Sequence, residues 1–417
     1  MILCMMQFLP SSQGHGGAQR AWYLLNALIK MAPVHLVIIR PTFPRERNPA
    51  DTEPLRGLVQ TLTLISVPEW SASWHAVPHL PRRIGRLIDM LRMRSLYTPR
   101  LSRRSLVRIA SQLPLENPDL IFAGRLPVAI IGESLLEAGL LRARVKVADF
   151  DDIQSRFLER EAVAHRRYLA LDKRAVDRFL IRSARKAERR IATTWDAVSV
   201  CSDDDMRVLA DAQAHARVHT VPNVVERPVL AHVAAKERFT VLFVGNLSFG
   251  PNSHGLQLFI DRAWPLVRRA IPNIRMQVVG LNPNAALRAR IEGAGIELCA
   301  DVPSVEPYYE QADVVIAPIM FGGGTRVKIL EAMAFGRPVV STSVGAEGLH
   351  CESGTHLLIA DDMNEFAAAI VRLSSDAEGR LQLANNGRAL QQRRFGPAAM
   401  LDALRKMIAA NGIEQPP

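Results

Sequence analysis

The residues most able to do chemistry lie in FGGGTRVKILEAMAFGRPVVST, residues 321–342. Gly322, Gly323 and Gly324 make a loop without side chains, so backbone amides can approach an anion closely. Thr325 is the expected N-cap of the helix behind it, whose partial positive end would face the loop. Gly336 closes that helix and Pro338 stops it from continuing. Val327, Leu330 and Ala334 form its apolar face, while Lys328 and Glu331, three residues apart, share another and reach toward the loop. A cation suited to phosphate and a carboxylate suited to hydroxyls then stand side by side. The same pattern also describes an amphipathic helix with a surface lysine and glutamate behind a glycine turn.

Two further stretches offer chemistry. PSSQGHGGAQ, residues 10–19, sets Gly14, Gly16 and Gly17 between a first apolar strand and a helix over about residues 18–31. This is either a second anion contact or a tightly packed βα turn; GHGG is not GxGxxG, so no dinucleotide is specified. DFDDIQS, residues 149–155, follows the buried strand VKVA, at the strand end where open α/β sheets place their chemistry. Asp149 and Asp151 form a D-x-D that could hold a divalent metal bridging a diphosphate. Alternatively, one aspartate faces a sugar without metal, or one caps the following helix, although three acids in four residues exceed what a cap needs.

Positioning these residues requires strand ends gathered in a sheet. Apolar runs at residues 2–9, 34–40, 62–67, 118–124, 145–148, 197–201 and 219–225 read as strands separated by helices. The pattern restarts with TVLFV at 240–244 and a turn at Gly245 and Asn246. Strands then follow at 275–279, 296–298, 314–317 and 339–341, with helices at 256–270, 285–294, 364–374, 379–386 and 398–410. The expected fold class is α/β: two Rossmann-like, doubly wound domains facing each other across a cleft. The boundaries read as 1–225 for the N-terminal domain, 226–237 for a polar linker and 238–390 for the C-terminal domain. Residues 391–417 form a last helix packing back on the first domain. At 417 residues the chain is too long for one core.

The formal charge of +11 is uneven. A basic block opens at Arg82 and closes at Arg108, with Asp89 its only acid and Leu87, Ile88, Leu91 and Leu96 among the arginines. It suits a helix, broken near Pro99, resting on an anionic membrane surface, or a basic helix packed on its own domain. No helix-turn-helix, zinc-finger or aromatic RNA-binding signature accompanies it, so no nucleic-acid partner is expected. Cys4, Cys201, Cys299 and Cys351 are far apart and suggest neither a zinc site nor a disulfide framework. No apolar run approaches the roughly 18 residues of a membrane span. MILCMMQF reads as a strand rather than a signal peptide, so a cytoplasmic location, peripheral on the inner membrane face at most, is expected.

The second half resembles the retaining glycosyltransferases of family 4, which have the GT-B architecture of two Rossmann-like domains. VGNLSFGPNSHGLQLF (244–259), residues 302–349 and GTHLLIADDMNEFAAAI (354–370) carry the resemblance. PSSQGHGGAQRAWYLLNAL and VPNVV are similar to that family's opening loop and interdomain strand. The resemblance implies a nucleotide-diphosphate sugar donor, a glycan or lipid-linked acceptor as in surface polysaccharide assembly, no cofactor and no metal. Glu331 matches the family's ribose-binding glutamate. Arg326 and Lys328 lie where this branch contacts the diphosphate, behind Gly323, Gly324 and Thr325. The backbone of Gly345, Ala346, Glu347 and Gly348, and the turn at Gly245, border the nucleotide. Gly16 and Gly17 match the loop approaching the phosphate and the transferred sugar. Asp151, then Asp152, align where relatives carry a histidine that contacts the sugar.

Two departures stand out. The family's paired glutamates read E-x7-E, and the first position here is Gly323. Asn246 stands where an arginine is usual, and residues 252–254 near the usual lysine. The diphosphate's countercharge is therefore expected from Arg326, Lys328 and the helix end. Asp151 would orient the sugar or support its positive charge while the departing phosphate takes the acceptor's proton. A metal-dependent transferase, a sugar-nucleotide epimerase and a catalytically silent binding protein are the competing readings.

Overall fold

A computed structural model describes residues 1–12, 15–41, 52–67, 98–165, 171–210, 217–230 and 238–411. The chain divides into two compact units: Met1–Pro222 with Met400–Pro417, and Asn223–Ala399.

Among the described residues the first unit has seven parallel strands: β1 (Ile2–Met6), β2 (Val34–Pro41), β3 (Thr61–Val67), β4 (Leu120–Gly124), β5 (Val145–Phe150), β6 (Ala197–Val200) and β7 (Val218–Thr220). Their order is β3-β2-β1-β4-β5-β6-β7. Runs such as ILCMM and LIFAG are buried throughout, as strands covered on both faces must be. The second unit repeats the plan with β8 (Thr240–Asn246), β9 (Arg275–Leu281), β10 (Glu297–Ala300), β11 (Val314–Ala317), β12 (Val339–Ser341) and β13 (Leu358–Ile359). These are also parallel, in the order β10-β9-β8-β11-β12-β13. On β8, Val241 and Phe243 enter one core cluster and Leu242 and Val244 the opposite one, the period-two alternation of a sheet packed on both sides.

Strand order reverses between β1 and β4 in the first unit and between β8 and β11 in the second. Connections leave the two strands of such a pair in opposite directions and open a crevice at their carboxyl ends, where ligands bind in this class of sheet. Gly16 and Gly17 open the helix after β1; Gly245 lies near the end of β8.

Several boundaries differ from those the sequence predicts. β5 runs on to Phe150, so Asp149 is a buried strand residue in register with Gly124 and not part of an open loop. β7 ends at Thr220, two residues before Pro222, which has no N–H to give a ladder. The helix predicted from 256 begins at Gly250, with Pro251 in its first turn, and passes through a π turn at Phe259–Ala263 before Trp264–Ala270. Pro265 lies just past that turn, where its missing N–H and its ring would break regular α bonding. Residues 390 and 391 lie inside the continuous helix Ala377–Phe395, and the division between units falls after Ala399. Residues 82–97 of the basic block and 231–237 of the expected linker lie outside the described residues, as does Gly14. The described part of the basic block enters helix Arg103–Ala110, N-capped by the Ser102 hydroxyl. Among the described residues no helix is long and apolar enough to cross a membrane.

Candidate functional site

In the second unit the glycine loop follows β11 and leads into helix Val327–Ala334. Lys328 turns from this helix toward the end of β8. Its Nζ donates to Asn252 Oδ1 at 2.7 Å and lies 4.4 Å from the centroid of the Phe243 ring. Asn252 Nδ2 donates to the Asn246 carbonyl at 2.8 Å, which fixes the amide with its oxygen toward the lysine. A Cβ on Gly245 would lie 2.9 Å from both Lys328 Nζ and Asn252 Nδ2, so only glycine leaves room for the pair. Burial, and then the nearby Arg326 charge, push the Lys328 pKa down to about 7 against the opposing pull of Glu331.

That shift has a pH consequence. Lys328 is mostly charged below pH 7 and mostly neutral above it, and a bound phosphate favours the charged form. Were a phosphate held at Lys328, its binding above that point would take up a proton. The affinity of the full chain for a nucleoside diphosphate is expected to fall by up to about tenfold per pH unit above pH 7, where the ligand's own second ionisation, near pH 6, is complete. Calorimetric titration across this range measures the slope; an affinity independent of pH would remove Lys328 from the anion site.

The other predicted residues are placed differently. Arg326, not Thr325, is the N-cap, and no side chain caps the helix. The Thr325 hydroxyl is buried with no hydrogen-bond partner among the described residues. Arg326 is turned onto its own loop, where Nη1 donates to the carbonyls of Gly323 and Gly324. Gly322 and Gly324, at φ 132° and 64°, supply the left-handed backbone that this wrap requires. Glu331 does not stand open beside Lys328. It is buried, its Oε1 accepting from Arg227 Nε at 3.1 Å and Nη2 at 2.7 Å and its Oε2 from the Tyr309 hydroxyl at 3.2 Å. Tyr309 stacks on Phe335 at 4.5 Å, and its pKa is raised by burial and then by Glu331. One lone pair of Glu331 Oε2 remains for a ligand donor.

Asn246 Oδ1 accepts from Ser248 N at 2.9 Å and Ser248 Oγ at 2.7 Å, so this side chain holds its own turn. Gly345 N–H donates to the Thr342 hydroxyl and Ala346 N–H to the Thr342 carbonyl, so both amides are committed within the turn. A Cβ at Gly345 would lie 2.2 Å from Ser341 Oγ. Glu347 and Gly348 follow, the latter at φ 74°.

In the first unit, Gly16 and Gly17 begin helix Gly16–Ile29 without a side-chain cap. A Cβ on Gly17 would come 2.7 Å from the Phe8 ring and 3.4 Å from Asp151 Oδ2, so this glycine lets the helix end approach both. Cys201 Sγ donates to the Asp151 carbonyl at 2.8 Å, and the Asp151 carboxylate faces a pocket whose walls include Phe8, Gly17 and Arg125. Asp149 is different. Arg20 Nη2 and Nε donate to its two oxygens at 2.5 and 2.9 Å, Ser199 Oγ donates at 2.6 Å, and both charged side chains are 2% exposed. The D-x-D that could have held a metal is thus split: its first carboxylate is consumed inside the fold. Capping of helix Gln154–His165 by an aspartate is likewise replaced in part, since Ser155 N and Oγ donate to Glu188. Asp152 is half-buried beside Asp151.

Four side chains take roles that their local sequence does not announce. Arg20 shares the stripe of Leu24 and Leu28 on its helix, and an arginine in an apolar stripe signals a buried acid partner. Asn252 supports Lys328 from 76 positions away and not from the same helix. Arg227 lay in a stretch read as linker, and Arg125 had no local signal.

The two switch-point sheets match the GT-B fold of the solved structures that follow. Residues 238–376 match the family model described as "Glycosyl transferases group 1". Among solved structures, HepE of Anabaena, in complex with UDP and glucose, is 14% identical with a TM-score of 0.66, covering 98% of this chain and 100% of that one. Sucrose-phosphate synthase of Thermosynechococcus elongatus is 17% identical with a TM-score of 0.65, covering 98% and 99%. An uncharacterized 44.6 kDa protein in the cps region of Klebsiella pneumoniae is 31% identical over 175 residues, 40% of this chain. That match spans 45% of the relative's length.

Proposed function

We propose that the chain transfers a sugar from a nucleotide-diphosphate sugar to a glycan or lipid-linked acceptor, with retention at the anomeric carbon and without metal, in polysaccharide biosynthesis. The observation that carries this reading is Lys328, held by Asn252 and Phe243 behind a glycine loop within the stretch that matches the glycosyltransferase model. The cps-region relative supports the polysaccharide role, and the UDP in HepE supports the donor class.

Breaking the sugar–phosphate bond puts negative charge on the leaving diphosphate and positive character on the sugar. The Lys328 ammonium and the uncapped amides at the start of helix Val327–Ala334 answer the first need. The bond from the anomeric carbon to phosphate oxygen breaks as the acceptor oxygen bonds to the same face, and the departing phosphate takes the acceptor's proton. Asp151, whose carboxylate faces the first unit's pocket, is the candidate to hold a sugar hydroxyl. The commitment of Asp149 to Arg20 and Ser199 supports the metal-free reading, since a D-x-D clamp needs both carboxylates free.

The test is a thermal-shift screen of the full chain against nucleoside diphosphates and their sugars, followed by transfer assays in strong chelator. A ligand at a hundred times its Kd stabilises by about 2.7 kcal/mol, a shift of several degrees. One base series should raise Tm, and transfer should survive the chelator. No shift with any nucleotide overturns the donor class; loss of transfer in chelator restores the metal reading.

A further inference from the structure

Beyond the donor side, the first unit contains a second cation in an unusual setting. Arg125 follows β4 at the switch point and has φ 78° and ψ 149°. Few L residues adopt that backbone region, and a βα turn of this shape would be filled at no steric cost by glycine. The Arg125 N–H donates to the Asp149 carbonyl at 2.7 Å, which ties the strained residue to the end of β5. Its guanidinium Cζ lies 4.8 Å from the centroid of the Phe8 ring, so the side chain is laid on an aromatic platform. Phe8 is braced by His15 in a T-shaped contact at 4.6 Å.

The pocket at this point is lined by Phe8, Gly17, Arg20, Arg125, Asp149 and Asp151. Arg20 and Asp149 neutralise each other, which leaves Arg125 and Asp151, among the described residues of the pocket, for a ligand. Among the described residues no carboxylate pairs with Arg125. A strained backbone that presents an arginine on a rigid ring, with no acid partner among the described residues, has the features of a ligand contact and not of a structural bridge.

We propose that Arg125 is a substrate-binding residue, receiving an anionic oxygen group of a sugar ligand while Asp151 accepts from its hydroxyls. A guanidinium takes phosphate or carboxylate in the same two-pronged manner, so the ligand is a phosphorylated sugar or a uronic acid. This concerns the first unit's own pocket and does not depend on which nucleotide the second unit binds.

Calorimetric titration of the full chain with glucose 1-phosphate, glucuronate and glucose tests it, with a nucleoside diphosphate titrated in parallel. One anionic sugar should bind at least about tenfold more tightly than glucose, as expected for a charge-assisted contact; which one binds names the anion. Arg125→Gly should lose that tenfold while Tm rises, because glycine relieves the backbone, and nucleoside diphosphate affinity should not change. Arg125→Lys, which keeps charge but not the planar fork, should fall between. The proposal is overturned if neither anionic sugar binds at millimolar concentration, if glucose binds equally well, or if Arg125→Gly keeps its affinity. Failure of the nucleoside diphosphate alone would sink the donor reading and leave this one standing.

Discussion

Lys328→Ala is expected to lower turnover by about 100- to 1,000-fold, the loss typical of removing one preorganised donor from a water-excluded site. Its thermal midpoint should stay within a few degrees of wild type or rise. The two expectations have one origin. Lys328 is surrounded by the Phe243 ring, Asn252 and Gly245. That desolvation pushes its pKa down to about 7, so the fold carries a cost for keeping an ammonium there. Alanine removes the cost, leaves only the neutral Asn252 oxygen without its donor, and opens space that water can enter. Lys328→Met, which restores the volume, should be at least as stable and equally inactive. Measuring kcat/KM beside Tm separates this from a structural lysine, whose loss would reduce both together. Turnover unchanged in both variants would dismiss the assignment.

The sheets were readable because their strands are buried on both faces and therefore spell near-continuous apolar runs. TVLFV and VVIA need no partner information to be recognised. The glycine loop was readable too, since Gly322 and Gly324 adopt backbone angles that other residues avoid. What the sequence did not carry is the direction in which long side chains turn. Lys328 and Glu331 sit three apart on one helix, and local spacing puts them on one face. Their partners pull them apart: Asn252, 76 positions before Lys328, and Arg227, 104 positions before Glu331. Asp149 is the last residue but one of its strand and Asp151 the first beyond it, and spacing alone would put both on one side. One is drawn inward by Arg20 and Ser199, and the other remains at the pocket. Such choices are made by residues distant in the chain, so a motif tells which groups are available but not which remain open to a ligand.

The second large effect is on stability, at the Arg20–Asp149 pair. Burial alone would press the guanidinium to lose its proton, and Asp149 more than offsets this, leaving the Arg20 pKa above its ordinary value. Removing either partner strands the other charge in an interior where both side chains are 2% exposed. Arg20→Ala and Asp149→Ala are each expected to cost about 3–5 kcal/mol, or roughly 6–20 °C in Tm for a unit of this size. Replacing both with apolar residues of similar volume, Arg20→Met with Asp149→Leu, removes the charges but not every obligation. Ser199 Oγ loses its acceptor and the Val221 carbonyl loses the Arg20 Nη1 donor at 3.0 Å. Those two orphaned groups cost about 1–3 kcal/mol each, so the double variant should recover only part of the loss. Adding Ser199→Ala should recover more. Urea and thermal unfolding of the singles, the double and the triple resolve the ladder. Singles that cost less than about 1 kcal/mol, the range of exposed pairs, would show that water reaches Asp149 after all and would reopen the D-x-D to a metal.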